Sequence, residues 1–152
     1  MATATYTSSV FANNGPKQTH VGNVTVQGQY NAGSAVTSLG DVIFLAKIPH
    51  GAKIVDVTVD HSANETACGV DYGLAKGGAD QGAASLSVFI SALAKSTISR
   101  IAVPRPPGSG PVTVSVSDSD PVRYGIFGCK PVSGSASTSL MINFSITYRT
   151  DE

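Results

Sequence analysis

The stretch GDVIFLAKIPHGAKIVDVTVD, residues 40–60, divides into two strands and a turn. Val42, Ile43, Phe44, Leu45 and Ala46 form a continuous apolar run, the pattern of a strand covered on both faces. Pro49, His50 and Gly51 break it. Proline fixes φ and lacks a donor, glycine tolerates positive φ, and together they favour a tight turn. From Ile54 the pattern alternates. Val55, Val57 and Val59 point one way, while Asp56, Thr58 and Asp60 point the other. That describes a strand with one face in a core and the other in water or against a partner.

Outward from this stretch the same period recurs. Val24, Val26 and Tyr30 alternate with Thr25, Gln27 and Gln29, with Gly28 marking a bulge or a close approach. Val70, Tyr72 and Leu74 alternate with Asp71 and Gly73. Val112, Val114 and Val116 alternate with Thr113, Ser115 and Ser117. Residues 98–103 and 122–129 read as further strands. The clearest alternation is the last: Leu140, Ile142, Phe144, Ile146 and Tyr148 face one way, and Met141, Asn143, Ser145 and Thr147 the other. Residues 86–95 are ambiguous. Leu86, Val88 and Ile90 fit period two, whereas Leu86, Phe89, Ile90 and Leu93 fit a helix face, and Ala92, Leu93, Ala94 and Lys95 tip the expectation to one short helix. Turns or loops are expected at 31–34, 61–67, 76–84, 104–111, 118–121 and 133–139, where Gly, Pro, Ser and Asp cluster. Residues 1–17 hold too few apolar side chains to pack alone. They read as an extended arm, loose or laid on a neighbour, ahead of a single domain over 18–152. About eight strands with closely spaced turns predict an all-β fold, an antiparallel β-sandwich of jelly-roll type with at most one short helix.

Ten basic and ten acidic residues balance to zero net charge, and only 13% of residues are charged, against about a quarter in an average domain. No basic excess points to nucleic acid. A weakly charged Ser/Thr-rich surface lowers the desolvation cost of being covered by another protein. No apolar run approaches the ~20 residues that span a bilayer. The start MATATYTSSV has neither a basic nor an apolar leader region, so no secretory signal is expected. The triplets at Asn23, Asn64 and Asn143 are accordingly read as chance matches to the glycosylation pattern. Cys68 and Cys129 lack CxxC spacing. They read as buried small hydrophobes, with pairing left open.

Candidate chemistry is sparse. Asp56, Asp60 and His61 could be drawn as a metal or acid–base cluster on one strand, but no second His or Cys stands at ligand spacing, and a solvated strand face explains them. His20 and His50 are the other imidazoles. Asp118 and Asp120 lack the glycine and distal Glu of a calcium loop and read as a turn before Pro121. No GxSxG and no phosphate loop is present. The residues thus point to no catalytic group, no metal site and no cofactor.

LGDVIFLAKIPHGAKIVDVTVDHS followed by GVDYGLA resembles a pattern of small structural proteins of tailed double-stranded DNA phages. The matching residues are Gly40, Asp41, Val42, Ile43, Leu45, Ala46, Lys47, Ile48, Pro49, Gly51, Ala52, Lys53 and Ile54, then Asp71, Gly73, Leu74 and Ala75. The resemblance is to the jelly-roll cement, or decoration, proteins on the outside of icosahedral heads. It implies a non-enzymatic virion protein without cofactor. Its partners would be the major capsid protein and itself, a homodimer before a trimer, with no nucleic acid and no membrane. The motif looks like scaffold and carries over no capsid-contact residues. The alternative is a receptor- or carbohydrate-binding module of a tail or head fibre. The absence of Trp, and Tyr and Phe at core-facing positions, count against sugar stacking. A cupin-type enzyme would need a His pair on facing strands, and neither His50 nor His61 sits in such a motif.

Overall fold

The computed structural model describes residues 5–13, 22–31, 39–61, 69–76, 84–94, 100–102, 124–133 and 140–150. They form β1 (Thr5–Thr7), α1 (Ser9–Asn13), β2 (Asn23–Asn31), β3 (Val42–Pro49), β4 (Lys53–His61), β5 (Gly69–Lys76), β6 (Ala84–Ala94), β7 (Arg100–Ala102), β8 (Tyr124–Ser133) and β9 (Met141–Arg149). One sheet runs β1-β3-β8-β5-β6, the other β2-β9-β4-β7. Every described pairing is antiparallel except β1 with β3. The expected β-sandwich is what the chain forms. From β2 to β9 successive strands change sheet at every step except β5 to β6.

The opening stretch shows why. Gly51 has φ +78°, and the Ala52 N–H donates to the Pro49 carbonyl at 3.2 Å. Positive φ at the third residue of a four-residue turn favours glycine. This turn does not pair β3 with β4. It carries the chain around a corner, with β3 in one sheet and β4 in the other. Both faces of β3 are covered, as its unbroken apolar run predicts: Ile43, Phe44, Leu45 and Ala46 are all buried. In β4 a bulge between Ile54 and Asp56 resets the phase. Ile54 therefore joins Val57 and Val59 in the core, and Val55 is only half-buried. The alternation expected from Val55 holds from Asp56 onward.

The core lies between the sheets. Val57 is in register with Ile146 and Val59 with Phe144, and all four are buried in one cluster with Ile43, Leu45, Tyr72 and Phe127. The Phe127 and Phe144 rings bridge the sheets with centroids 5.8 Å apart. Phe44 and Ile126 belong to a second cluster with Phe11 and Ala75. Since Ile126 alternates with Phe127, this cluster sits on the far side of the five-stranded sheet.

One expectation is corrected. The helix expected over residues 86–95 does not form: Ala84–Ala94 is a strand paired with β5. Helix propensity amounts to a few tenths of a kcal/mol per residue, less than the ladder along β5 supplies. The described part of the N-terminal segment packs on the sandwich. β1 adds to the edge of β3, Thr5 opposite Val42 and Thr7 opposite Phe44. Ser8 then caps α1. Its hydroxyl donates to the Leu45 carbonyl and accepts from the Phe11 N–H at 3.1 Å, and its carbonyl takes the Ala12 N–H at 3.0 Å. A serine oxygen on the third helical N–H is the preferred start of a helix. Phe11 is buried on Phe44, centroids 5.3 Å apart, and the Lys47 ammonium lies over the Phe11 and Tyr124 rings at 4.9 and 5.5 Å. The strand expected over 112–117, the connections at 104–111 and 118–121, most of the other expected loops, and residues 1–4 and 14–17 of the arm lie outside the described residues.

Candidate functional site

The outward face of the four-stranded sheet is the place to look for function. β9 lies between β2 and β4, so the polar sides of three alternating strands meet. Register builds three rows across them: Thr25, Thr147 and Asp56; Gln27, Ser145 and Thr58; Gln29, Asn143 and Asp60. The rows are cross-linked. Thr25 Oγ1 and Thr147 Oγ1 are 2.9 Å apart, and Gln29 Nε2 donates to Asn143 Oδ1 at 2.8 Å. The hydroxyl of Thr58 donates to Asp56 Oδ2 at 3.5 Å. The first two pairs hold β2 to β9, the third lies within β4, and all orient groups that would otherwise rotate freely in water.

Near the middle of this face is a depression of about 250 Å³, lined by Gln27, Gly28, Thr58, Asp60, Asn143, Phe144 and Ser145. It is smaller than the ~300–1,000 Å³ clefts that take small molecules. Gly28 is closely packed on its inner side. A β-carbon there would stand 2.4 Å from Val10 Cγ2 and 2.9 Å from Phe144 Cζ. The β2–β9 register is continuous through this point, so Gly28 marks a close approach and not a bulge. Asp60 Oδ1 is buried with no hydrogen-bond partner among the described residues, and Arg100 is the register partner of Asp60 on β7.

The residues singled out by sequence are dispersed. Asp56 and Asp60 do share the outward face, Asp56 exposed and Asp60 half-buried. His61 ends β4 opposite Ile142, and His50 is exposed in the corner turn. Cys129 is a buried core thiol. His20, Cys68, Asp118 and Asp120 lie outside the described residues. Among the described residues no group of three or more His, Cys, Asp or Glu could hold a metal ion, and no helix is long and apolar enough to cross a membrane. The nine-residue polar grid was half visible in advance, since each strand's outward side chains follow from its alternation. Its assembly was not, because β2 and β9 are joined by no local signal. Chemically the grid offers amides, hydroxyls and two carboxylates, with no nucleophile set against a base. It suits contact with another polar surface.

No family model matches the sequence, and no curated protein matches it. Two solved structures match. A chain titled "Capsid of Ralstonia phage GP4" superposes with a TM-score of 0.67 over 98% of this chain and 99% of its own, at 13% identity. A chain titled "Cyanophage Pam1 capsid asymmetric unit" aligns over 91% and 95% respectively at 14% identity, with a TM-score of 0.44. At these identities the first likeness is one of fold.

Proposed function

We propose that this chain is a structural protein of a tailed phage head, a cement protein seated on the outer surface of the capsid that clamps neighbouring major capsid subunits against the pressure of packaged DNA. The observation that carries this reading is the end-to-end match of its fold to a chain of a phage capsid, 98% of one on 99% of the other. Two features support it. The strand order β2-β9-β4-β7 against β3-β8-β5-β6, with the chain crossing between sheets at nearly every step, suits the eight-stranded double-sheet jelly roll. The outward grid carries formal charge only at Asp56 and Asp60, so covering it with another protein desolvates few ions.

Clamping requires contact with more than one subunit, through self-association or through the N-terminal arm, with a homodimer favoured over a trimer. The carbohydrate-binding alternative needs an exposed ring for stacking. Tyr30, Tyr72 and Tyr148 and the phenylalanines 11, 44, 127 and 144 are buried, which weighs against it. The test is co-sedimentation of purified protein with heads that lack it. Saturable binding, together with DNA retention to a higher temperature, is the expected result. Heads that neither bind the protein nor gain heat resistance from it would sink the proposal.

A further inference from the structure

Among the described strands the two sheets have four edges, and they are protected very unequally. β1 and β7 are three residues each, too short to template a neighbour. β6 is eleven residues long, but its pairing with β5 shifts register twice, between Val70 and Tyr72 and between Tyr72 and Leu74. Irregularities of this kind twist an edge away from partners. Among the described residues β2 has no such defence. Its nine residues, NVTVQGQYN, contain no charge and no proline, and its register against β9 is unbroken from Asn23 to Asn31. On the side away from β9, no described backbone group bonds to residues 24–29. Thr25, Gln27 and Gln29 are exposed along it. A long, regular, uncharged edge is what natural proteins avoid unless something pairs with it.

We infer that the β2 edge pairs antiparallel with the β2 edge of a second copy of this chain, about a two-fold axis passing at Gln27. Gln27 is the midpoint of the strand, so this register is symmetric about residues 25–29. It places Thr25 opposite Gln29, Val26 opposite Gly28, and Gln27 opposite itself. Every outward pair is then hydroxyl with amide or amide with amide. That continues the cross-links already made inside the chain by Thr25 with Thr147 and Gln29 with Asn143. The edge meets itself with no like charges in contact, which is the requirement of an isologous interface. Two four-stranded sheets become one of eight strands, and their polar grids become one continuous face. This deepens the clamping role proposed above, and its test uses the isolated protein, so each reading can fail without the other.

The test is charge reversal at the axis. Sedimentation velocity of the full chain should give a dimer. Gln27→Lys and Gln27→Glu, each alone, should weaken self-association about tenfold or more, because like charges placed directly opposite repel. Mixing the two variants should restore a dimer containing one of each. Circular dichroism shows whether both variants fold, and recovery in the mixture is a result that a merely misfolded variant cannot give. A wild-type monomer, or a dimer indifferent to both substitutions, or charge variants that fail to recover on mixing, overturns the inference. A monomeric wild type that still binds heads would assign the edge to a strand of the coat instead.

Discussion

β9 and the segment Thr5–Asn13 are equal in length and opposite in character. β9 alternates without a break, with Ile142, Phe144, Ile146 and Tyr148 buried between the sheets. It pairs along its length with both β2 and β4. The N-terminal segment is polar and irregular. Its place depends on a few contacts: three ladder positions on β3, the Ser8 cap, and Phe11 and Val10 against surfaces built by distant strands. One element carries its own instruction in its period. The other is held by sites that exist only once the sandwich has formed.

That contrast can be broken by experiment. Phe144→Ala in β9 should cost roughly 3–5 kcal/mol in urea unfolding, as for other core aromatics. A loss under about 1 kcal/mol would mean that Phe144 does not face the packed interior. Phe11→Ala removes the main apolar anchor of the N-terminal segment and should cost about 1.5–3 kcal/mol. Deleting residues 2–13 should therefore lower the melting temperature of the isolated protein. An unchanged melting temperature would return the segment to the status of a loose arm.

Gly28→Ala joins the two regions, because its new methyl would press on both Val10 and Phe144. A loss of about 1–3 kcal/mol is expected. Val10→Ala in that background should recover part of it, a coupling that a double-mutant cycle measures directly. Additive effects would show that α1 does not rest on β2. Ser8→Ala should cost about 1 kcal/mol through the lost cap. The smallest effect belongs to Asp56→Asn, Asp60→Asn and His61→Gln together. Exposed Asp56 should contribute no more than about 0.5 kcal/mol of any stability change, and head binding should be retained. Stoichiometric metal in the wild type that disappears in the triple variant would show that these residues do form a site.

Much of the sandwich is legible in residue order alone. The alternation in Val24 to Tyr30, in Val70 to Leu74 and in Leu140 to Tyr148 identifies strands and the faces they bury, because side-chain direction in a strand depends only on parity. The run at Ile43 to Ala46 identifies a strand covered twice, and Pro49 to Gly51 a turn. What parity cannot specify is which strands become neighbours. The polar grid needs β2 and β9 side by side, and that is fixed by burial of their opposite faces over a common core. Parity also fails where register breaks, as at Val55, where one extra residue moves Ile54 into the core. It cannot arbitrate residues 86–95, where a weak helix preference yields to an available strand edge. Nor can it foresee α1, since Phe11 is buried in a cluster with Phe44, Ala75 and Ile126, residues that local sequence never brings near it. Periodicity is local physics and can be read along the chain. Neighbour choice, phase resets and the docking of a polar segment depend on surfaces made by many strands at once, and only the tertiary structure decided them.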